Sequence, residues 1–393
     1  MKTFFLLSIL ISILSGLNCS KSEKYSPVIF SFNGNNGATP KGTMTLSPDN
    51  TLFGYTSAGG KNGKGVIFKM KNDGKDYSVI YNFEEGSDNG LGKEPHHDQM
   101  LYFDGAFYGS ALYGGSQNNG VIFKINLDGS GYAPIHIFKG GDSDGAQSHS
   151  GVISGGQILY GMTALGGTQG HGTIYKIDPD GNNFSVIYSF HKSSGHEPHG
   201  RLTLGSDGHT LYGITKSGGD NDVGVVFSFD INNSVYIALH TFQKGIKEDG
   251  YTSEHGYLAM DNNILFGLTQ YGGVNDKGTI FSLKTDGSDY KLLHSFGSDS
   301  KDGKSPFGSL KMLNGFLYGT TQDGGENDRG TVFKIQLDGK DHEILYSFDC
   351  STSGEYPIDN VTFSNSKSDL YCFSQQGGEN DPDGKKNFGT IIK

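Results

Sequence analysis

The chain has 393 residues with a formal net charge of −11, and no run of lysine or arginine follows residue 24. Phosphate neutralisation needs a basic face, so no nucleic-acid partner is expected. Glycine is abundant at 62 residues, but it recurs in periodic turns, which excludes a disordered Gly-rich linker; 26 Phe and 21 Tyr supply core material without any Trp.

Lys2 gives a short positive start, and Phe4 to Leu14 is an apolar stretch too short to span a bilayer as a helix. Residues 1–18 are therefore read as an export signal. The following Gly16-Leu17-Asn18-Cys19-Ser20 resembles a bacterial lipoprotein signal, in which the Cys becomes the lipidated first residue. It departs from that pattern in placing Leu17 two residues before the Cys and Asn18 directly before it. Residues 19–24 form the lipidated Cys and a polar tether, and secretion with cleavage nearby is the alternative.

Residues 25–393 read as one repeat domain. Gly-Gly doublets begin at Gly59, Gly114, Gly166, Gly218, Gly272, Gly324 and Gly377, a span of 318 residues in six steps and a mean period of 53. Such a period indicates a solenoid, a propeller or an array. In the first unit, strand a is Thr43 to Leu46 and strand b Leu52 to Ser57, while strand c is Gly65 to Met70 and strand d Tyr77 to Phe83. Within strand c, Val66, Phe68 and Met70 share one face and Ile67 the other, the pattern of strands buried between neighbouring sheets. Asp-Gly between strands c and d, as at Asp73-Gly74 and Asp338-Gly339, predicts a hairpin with both central residues at positive φ.

The ends of the chain decide between the architectures. Tyr25 to Phe32 has the sequence of a strand d before any repeat has begun, and the last unit stops after strand c at Phe388 to Lys393. The N-terminal strand then completes the last sheet and closes a ring, hiding the edges of an open array. Seven strands d, ending at Phe32, Phe83, Phe138, Phe190, Phe242, Phe296 and Phe348, match the seven doublets. The predicted fold is an all-β, seven-bladed β-propeller of four-stranded blades.

At LYGTTQDGG (Leu317 to Gly325), GTVFKIQLDG (Gly330 to Gly339) and LYGITKSGG (Leu211 to Gly219) the chain resembles the GloVer-type "choice-of-anchor" tandem repeat family. The resemblance covers residues 25–393 and implies an exported cell-surface protein, with Cys19 as the anchor, and no particular activity. The last unit departs most, with Cys372 in place of a repeat glycine and a longer loop around Asp381. The absent Trp argues against kelch and quinone-dependent dehydrogenase propellers.

The b–c and d–a loops of such a propeller emerge on one face. Four consecutive d–a loops carry a histidine ahead of strand a, namely His96, His149, His199 and His255, with His97 as an alternative to His96. Lys41, Phe307 and Ile358 hold the corresponding places elsewhere. Imidazoles around a funnel can bind a divalent metal, contact a ligand or exchange protons; packing of a flat polar ring, each on its own blade several Å from the next, explains the same pattern. Later b–c loops carry Asn221-Asp222, Asn275-Asp276, Asn327-Asp328 and Asn380-Asp381, candidate ligand contacts or simply turn formers. Cys350 and Cys372 are either a disulfide or two half-buried thiols. No nucleophile elbow or phosphate-cradling motif is present, so no catalytic residue and no cofactor beyond a divalent metal is assigned. The expectation is a monomeric, lipid-anchored cell-envelope binding module, at the outer membrane or cell surface, for a glycan, host or envelope macromolecule, touching the membrane through its anchor alone. A metal-assisted hydrolase, lactonase or lyase and a purely structural envelope protein are the alternatives.

Overall fold

The computed structural model describes residues 27–84, 91–96, 99–378 and 388–393. The signal segment, Cys19, the tether, His97, Asn380 and Asp381 lie outside the described residues. Among those described, no helix is long and apolar enough to cross a membrane.

Seven four-stranded antiparallel sheets follow one another in the order a-b-c-d. Blade 2 is representative, with Leu101–Phe103, Ala106–Ala111, Val121–Asn126 and Ala133–Ile137. In the last sheet, strand a is Thr362–Phe363, b is Leu370–Ser374 and c is Thr390–Ile392, and the outer strand is the N-terminal Val28–Ser31. Val28 pairs with Ile392 and Ser31 with Thr390, so the ring closes between the two ends of the chain, as the sequence requires.

Cores lie between blades rather than within them. Phe53, Tyr55 and Ile67 of blade 1 pack with Phe107, Phe123 and Ile125 of blade 2. Both faces of strand c are therefore buried, Val66, Ile67 and Phe68 alike at 0% exposure. The Phe that ends each strand d is a fixed point of the repeat: all seven are fully buried. Each also donates its N–H to the glycine carbonyl that opens strand c, as in Phe83 to Gly65 at 3.0 Å and Phe348 to Gly330 at 3.0 Å.

The Asp-Gly hairpins take a different form from the expected one. Only the glycine has positive φ, +85° at Gly74 and +86° at Gly339, and the aspartate is not in that region. The carboxylate instead accepts the N–H two residues on, as from Lys75 to Asp73 Oδ1 at 3.0 Å. Glycine is required for a second reason: a Cβ on Gly74 would lie 2.1 Å from the Ile29 carbonyl oxygen of the preceding sheet.

The Cys350–Cys372 disulfide is not formed. Cys372, on strand b of blade 7, is a free thiol that points into the cluster of Val332, Phe348, Val361 and Ile392. Burial in that apolar setting pushes its thiol pKa up.

Candidate functional site: an axial histidine cluster

Every d–a loop makes the same turn. One non-glycine residue in each has positive φ among the described residues: Thr39, Glu94, Gln147, Glu197, Thr252, Ser305 and Tyr356, all between 52° and 58°. Non-glycine residues rarely hold this conformation unless their surroundings impose it. Here six of the seven donate their N–H to a b–c loop of the preceding blade, as Gln147 does to the Asn119 carbonyl at 2.7 Å. Their own carbonyls accept an N–H at the end of strand b, as Thr252 does from Gln270 at 2.8 Å. The turn is thus clamped on two sides, and the residue two places on is carried to the propeller axis. That residue is Lys41, His96, His149, His199, Phe307 or Ile358. The fifth loop, like the second, has one residue more before strand a, and in the fifth Glu254 and His255 both reach the centre.

The four predicted histidines meet there, closer than separate blades suggest. His149 and His199 stack at 3.9 Å between ring centroids with planes 9° apart. His96 stands edge-on to His149 at 5.3 Å, and His255 lies 5.2 Å from His199 and 5.6 Å from both His96 and His149. His199 and His255 are 8% and 7% exposed. His96 follows Glu94 and Pro95 as His199 follows Glu197 and Pro198, two places after the clamped residue.

Charged groups complete the ring. Lys41 Nζ is 3.0 Å from His96 Nε2. Burial lowers the Lys41 pKa, against the opposing pull of Asp359 and Glu94. Burial likewise pushes the Asp359 carboxyl up to about 7, despite the Gly42 N–H at 2.5 Å and the Lys41 charge. Glu254 Oε2 lies 3.6 Å from His199 Nδ1 and 3.1 Å from Lys216 Nζ. Burial alone would raise the Glu254 pKa, but the His199 ring and the Lys216 ammonium outweigh it and hold the carboxyl low. Below the imidazoles, Arg201 sits 4.6 Å over the Tyr257 ring, and Asn360 Nδ2 donates to the Tyr257 hydroxyl at 2.5 Å. These three, with Thr43, Gln99 and Ser309, line a narrow cavity on the axis. Imidazole nitrogens, an ammonium and two carboxyls within one funnel can coordinate a cation, donate hydrogen bonds to a polar ligand or exchange protons.

The three Asn-Asp pairs of b–c loops among the described residues make turns. Asn221, Asn275 and Asn327 donate Nδ2 to the carbonyls of Phe242, Phe296 and Phe348 at 3.0 to 3.4 Å. Asp222, Asp276 and Asp328 have positive φ and accept the N–H of the first doublet glycine at 3.0 to 3.1 Å. The same Oδ1 also meets the d–a loop that leads into the same blade, as in Lys304 Nζ to Asp328 Oδ1 at 2.8 Å and the Tyr251 hydroxyl to Asp276 Oδ1 at 2.8 Å. They brace the clamped turns rather than form a separate oxygen cage.

Three further histidines escaped the sequence reading. His136, His240 and His294 on strands d bind Asp144, Asp249 and Asp302 at 3.1 to 3.2 Å. Each ring stacks on the neighbouring blade, on Phe184, Tyr290 and His342 respectively, at 3.7 to 3.9 Å. The signal is present in the sequence as His-x-Phe followed by Asp-Gly eight or nine residues after the His.

A family model described as the Gloeobacter/Verrucomicrobia repeat matches residues 17–209, 94–312 and 159–391. No curated protein sequence matches the chain. Among solved structures, an oligogalacturonate lyase in complex with manganese aligns with a TM-score of 0.55 at 11% identity, covering 93% of this chain and 90% of that one. The periplasmic gluconolactonase PpgL of Pseudomonas aeruginosa aligns with a TM-score of 0.52 at 15% identity, covering 81% and 94%. The extracellular domain of a B. thetaiotaomicron protein described as a one component system aligns at 0.58 and 10% identity, over 94% of this chain but 40% of that one. At these identities the likeness is one of fold alone.

Proposed function

The chain belongs to the Gloeobacter/Verrucomicrobia repeat family, and from that membership and the axial geometry we propose an exported cell-envelope binding module whose recognition site is the histidine funnel. One observation carries the reading: four consecutive d–a loops each bring a histidine to the axis, and all four rings meet there. Rigid blades hold the clamped loops, an arrangement suited to recognition on a stiff scaffold. The imidazoles, Lys41 and Arg201 offer donors and flat ring faces, which favours a glycan bearing hydroxyl and carboxylate groups over host or envelope proteins. Cys19 supplies the lipid anchor, and the propeller acts as a monomer at the outer membrane or cell surface. Two assays test this. Glycan-array binding by the protein is expected to disappear when His96, His149, His199 and His255 are changed together to Ala, and binding that survives overturns the reading. Cys19→Ala is expected to release the protein from the membrane fraction; unchanged fractionation removes the anchor.

A second reading, a hydrolase, lactonase or lyase working at the funnel, is favoured by Asp359 and Lys41 lying beside the imidazoles with pKa values moved toward neutrality. Product formation from a bound glycan or lactone, lost in Asp359→Asn, distinguishes it from simple binding. A purely structural role predicts neither binding nor turnover.

A further inference from the structure

We propose that the funnel binds one divalent transition-metal ion of the imidazole-preferring class through His96, His149 and His255. One nitrogen from each of these rings lies within 4.8 Å of those of the other two. A tetrahedral zinc site has bonds of about 2.1 Å and hence nitrogens about 3.4 Å apart. Closing the triad takes only ring rotation, and the backbone on which the rings pivot is already fixed by the clamped turns. Three imidazoles leave the fourth position open, toward a ligand entering the funnel.

The neighbours of the triad fit this role. His199 stacks flat on His149, 3.9 Å away and 9° from parallel, so it limits the rotation of His149 rather than sharing its ion. Glu254 in turn faces His199 Nδ1 at 3.6 Å and holds that ring in its stack on His149. His199 and Glu254 are thus positioning residues. The donor set also selects the ion. Calcium and magnesium require shells of oxygen, whereas three nitrogens suit zinc, cobalt, nickel or copper. Lys41 opposes binding, since its ammonium lies 3.0 Å from His96 Nε2 and places a like charge beside the ion.

The inference rests on the funnel being the binding site, but its test needs no macromolecular ligand. Purified protein, stripped with chelator, is titrated with Zn²⁺, Co²⁺ and Ca²⁺ by calorimetry, and the Co²⁺ complex is followed by its visible absorption. One Zn²⁺ per chain is expected, with no Ca²⁺ binding. His96→Ala, His149→Ala and His255→Ala should each weaken Zn²⁺ at least 100-fold, and His199→Ala about tenfold. Lys41→Met should tighten it. His342→Phe, which alters the interblade group of His294, Asp302 and His342, should leave it unchanged. Should the Ala variants not fold, His149→Gln and the Co²⁺ spectrum of the unaltered protein, with or without the bands of a low-coordinate nitrogen site, decide. Absence of Zn²⁺ binding, binding that persists in the axial variants, or binding lost in His342→Phe overturns the proposal. Glycan binding without Zn²⁺ binding overturns the metal and leaves the module standing; Zn²⁺ binding with no glycan bound does the reverse.

Discussion

Two groups of histidines occupy this propeller, and they differ in what surrounds them. Between blades, His136, His240 and His294 each face one aspartate and stack flat on one ring of the neighbouring blade. Asp249 shows how fully such a site is used: it also accepts the Tyr290 hydroxyl at 2.8 Å and the N–H groups of Gln243 and Gly250 at 3.0 and 2.8 Å. These groups fasten the beginning of a d–a loop to the blade behind it. On the axis, four imidazoles face one another, and the carboxylates and ammonium stand around the group rather than one to each ring. The same residue type thus serves as a rivet where each ring has its own carboxylate and as a converging donor set where rings share a centre.

The largest effect should come from removing a rivet. Asp249→Ala strands four buried donors, and the loss expected is about 3–5 kcal/mol, read by urea unfolding at neutral pH. A loss below 1 kcal/mol would erase the distinction between the two groups.

An intermediate effect, dependent on pH, is expected at His342, which replaces the Tyr or Phe of other blades. Burial and then the neighbouring His294 lower its pKa to about 4 from an ordinary 6.5. The folded state therefore resists protonation, and stability contributed by the neutral ring is present above pH 6.5 and lost as pH falls toward 4. Asp302 behaves oppositely in origin: burial would raise its pKa, but His294 and the Ser298 N–H bring it down to about 2, so its contribution is complete above about pH 4 and is lost as pH falls toward 2. His342→Tyr should then stabilise the protein at pH 5 by about 1–2 kcal/mol relative to its effect at pH 8. Equal melting shifts at both values would contradict this account.

The smallest effect belongs to the axis. His149→Ala in metal-free protein should alter unfolding free energy by no more than about 1 kcal/mol, since the clamped turn and not the ring holds the loop. A loss as large as that of Asp249→Ala would make the axial group structural after all.

The sequence makes the ring and the axial residues legible for the same reason. Repetition at a fixed period exposes both the displaced strand d and the histidine ahead of strand a, because each blade repeats the same local physics. It does not reveal distance: that Lys41 touches His96, or that the extra residue of the fifth loop carries Glu254 toward His199, follows from loop geometry that composition cannot express. The His-x-Phe and Asp-Gly pairs were visible too, yet their function depends on a stack with the next blade. Likewise, two cysteines in the repeat domain suggest a bridge, while Cys372 in fact points into an apolar interblade cluster.

The most direct test of the axial site is a crystal structure of the protein soaked with Zn²⁺, with anomalous scattering recorded on either side of the zinc edge. The account predicts a single strong peak on the propeller axis at bonding distance, about 2.1 Å, from nitrogens of His96, His149 and His255. A peak at His294 and His342 instead, or an axis without one while the four rings keep their present packing, would contradict it.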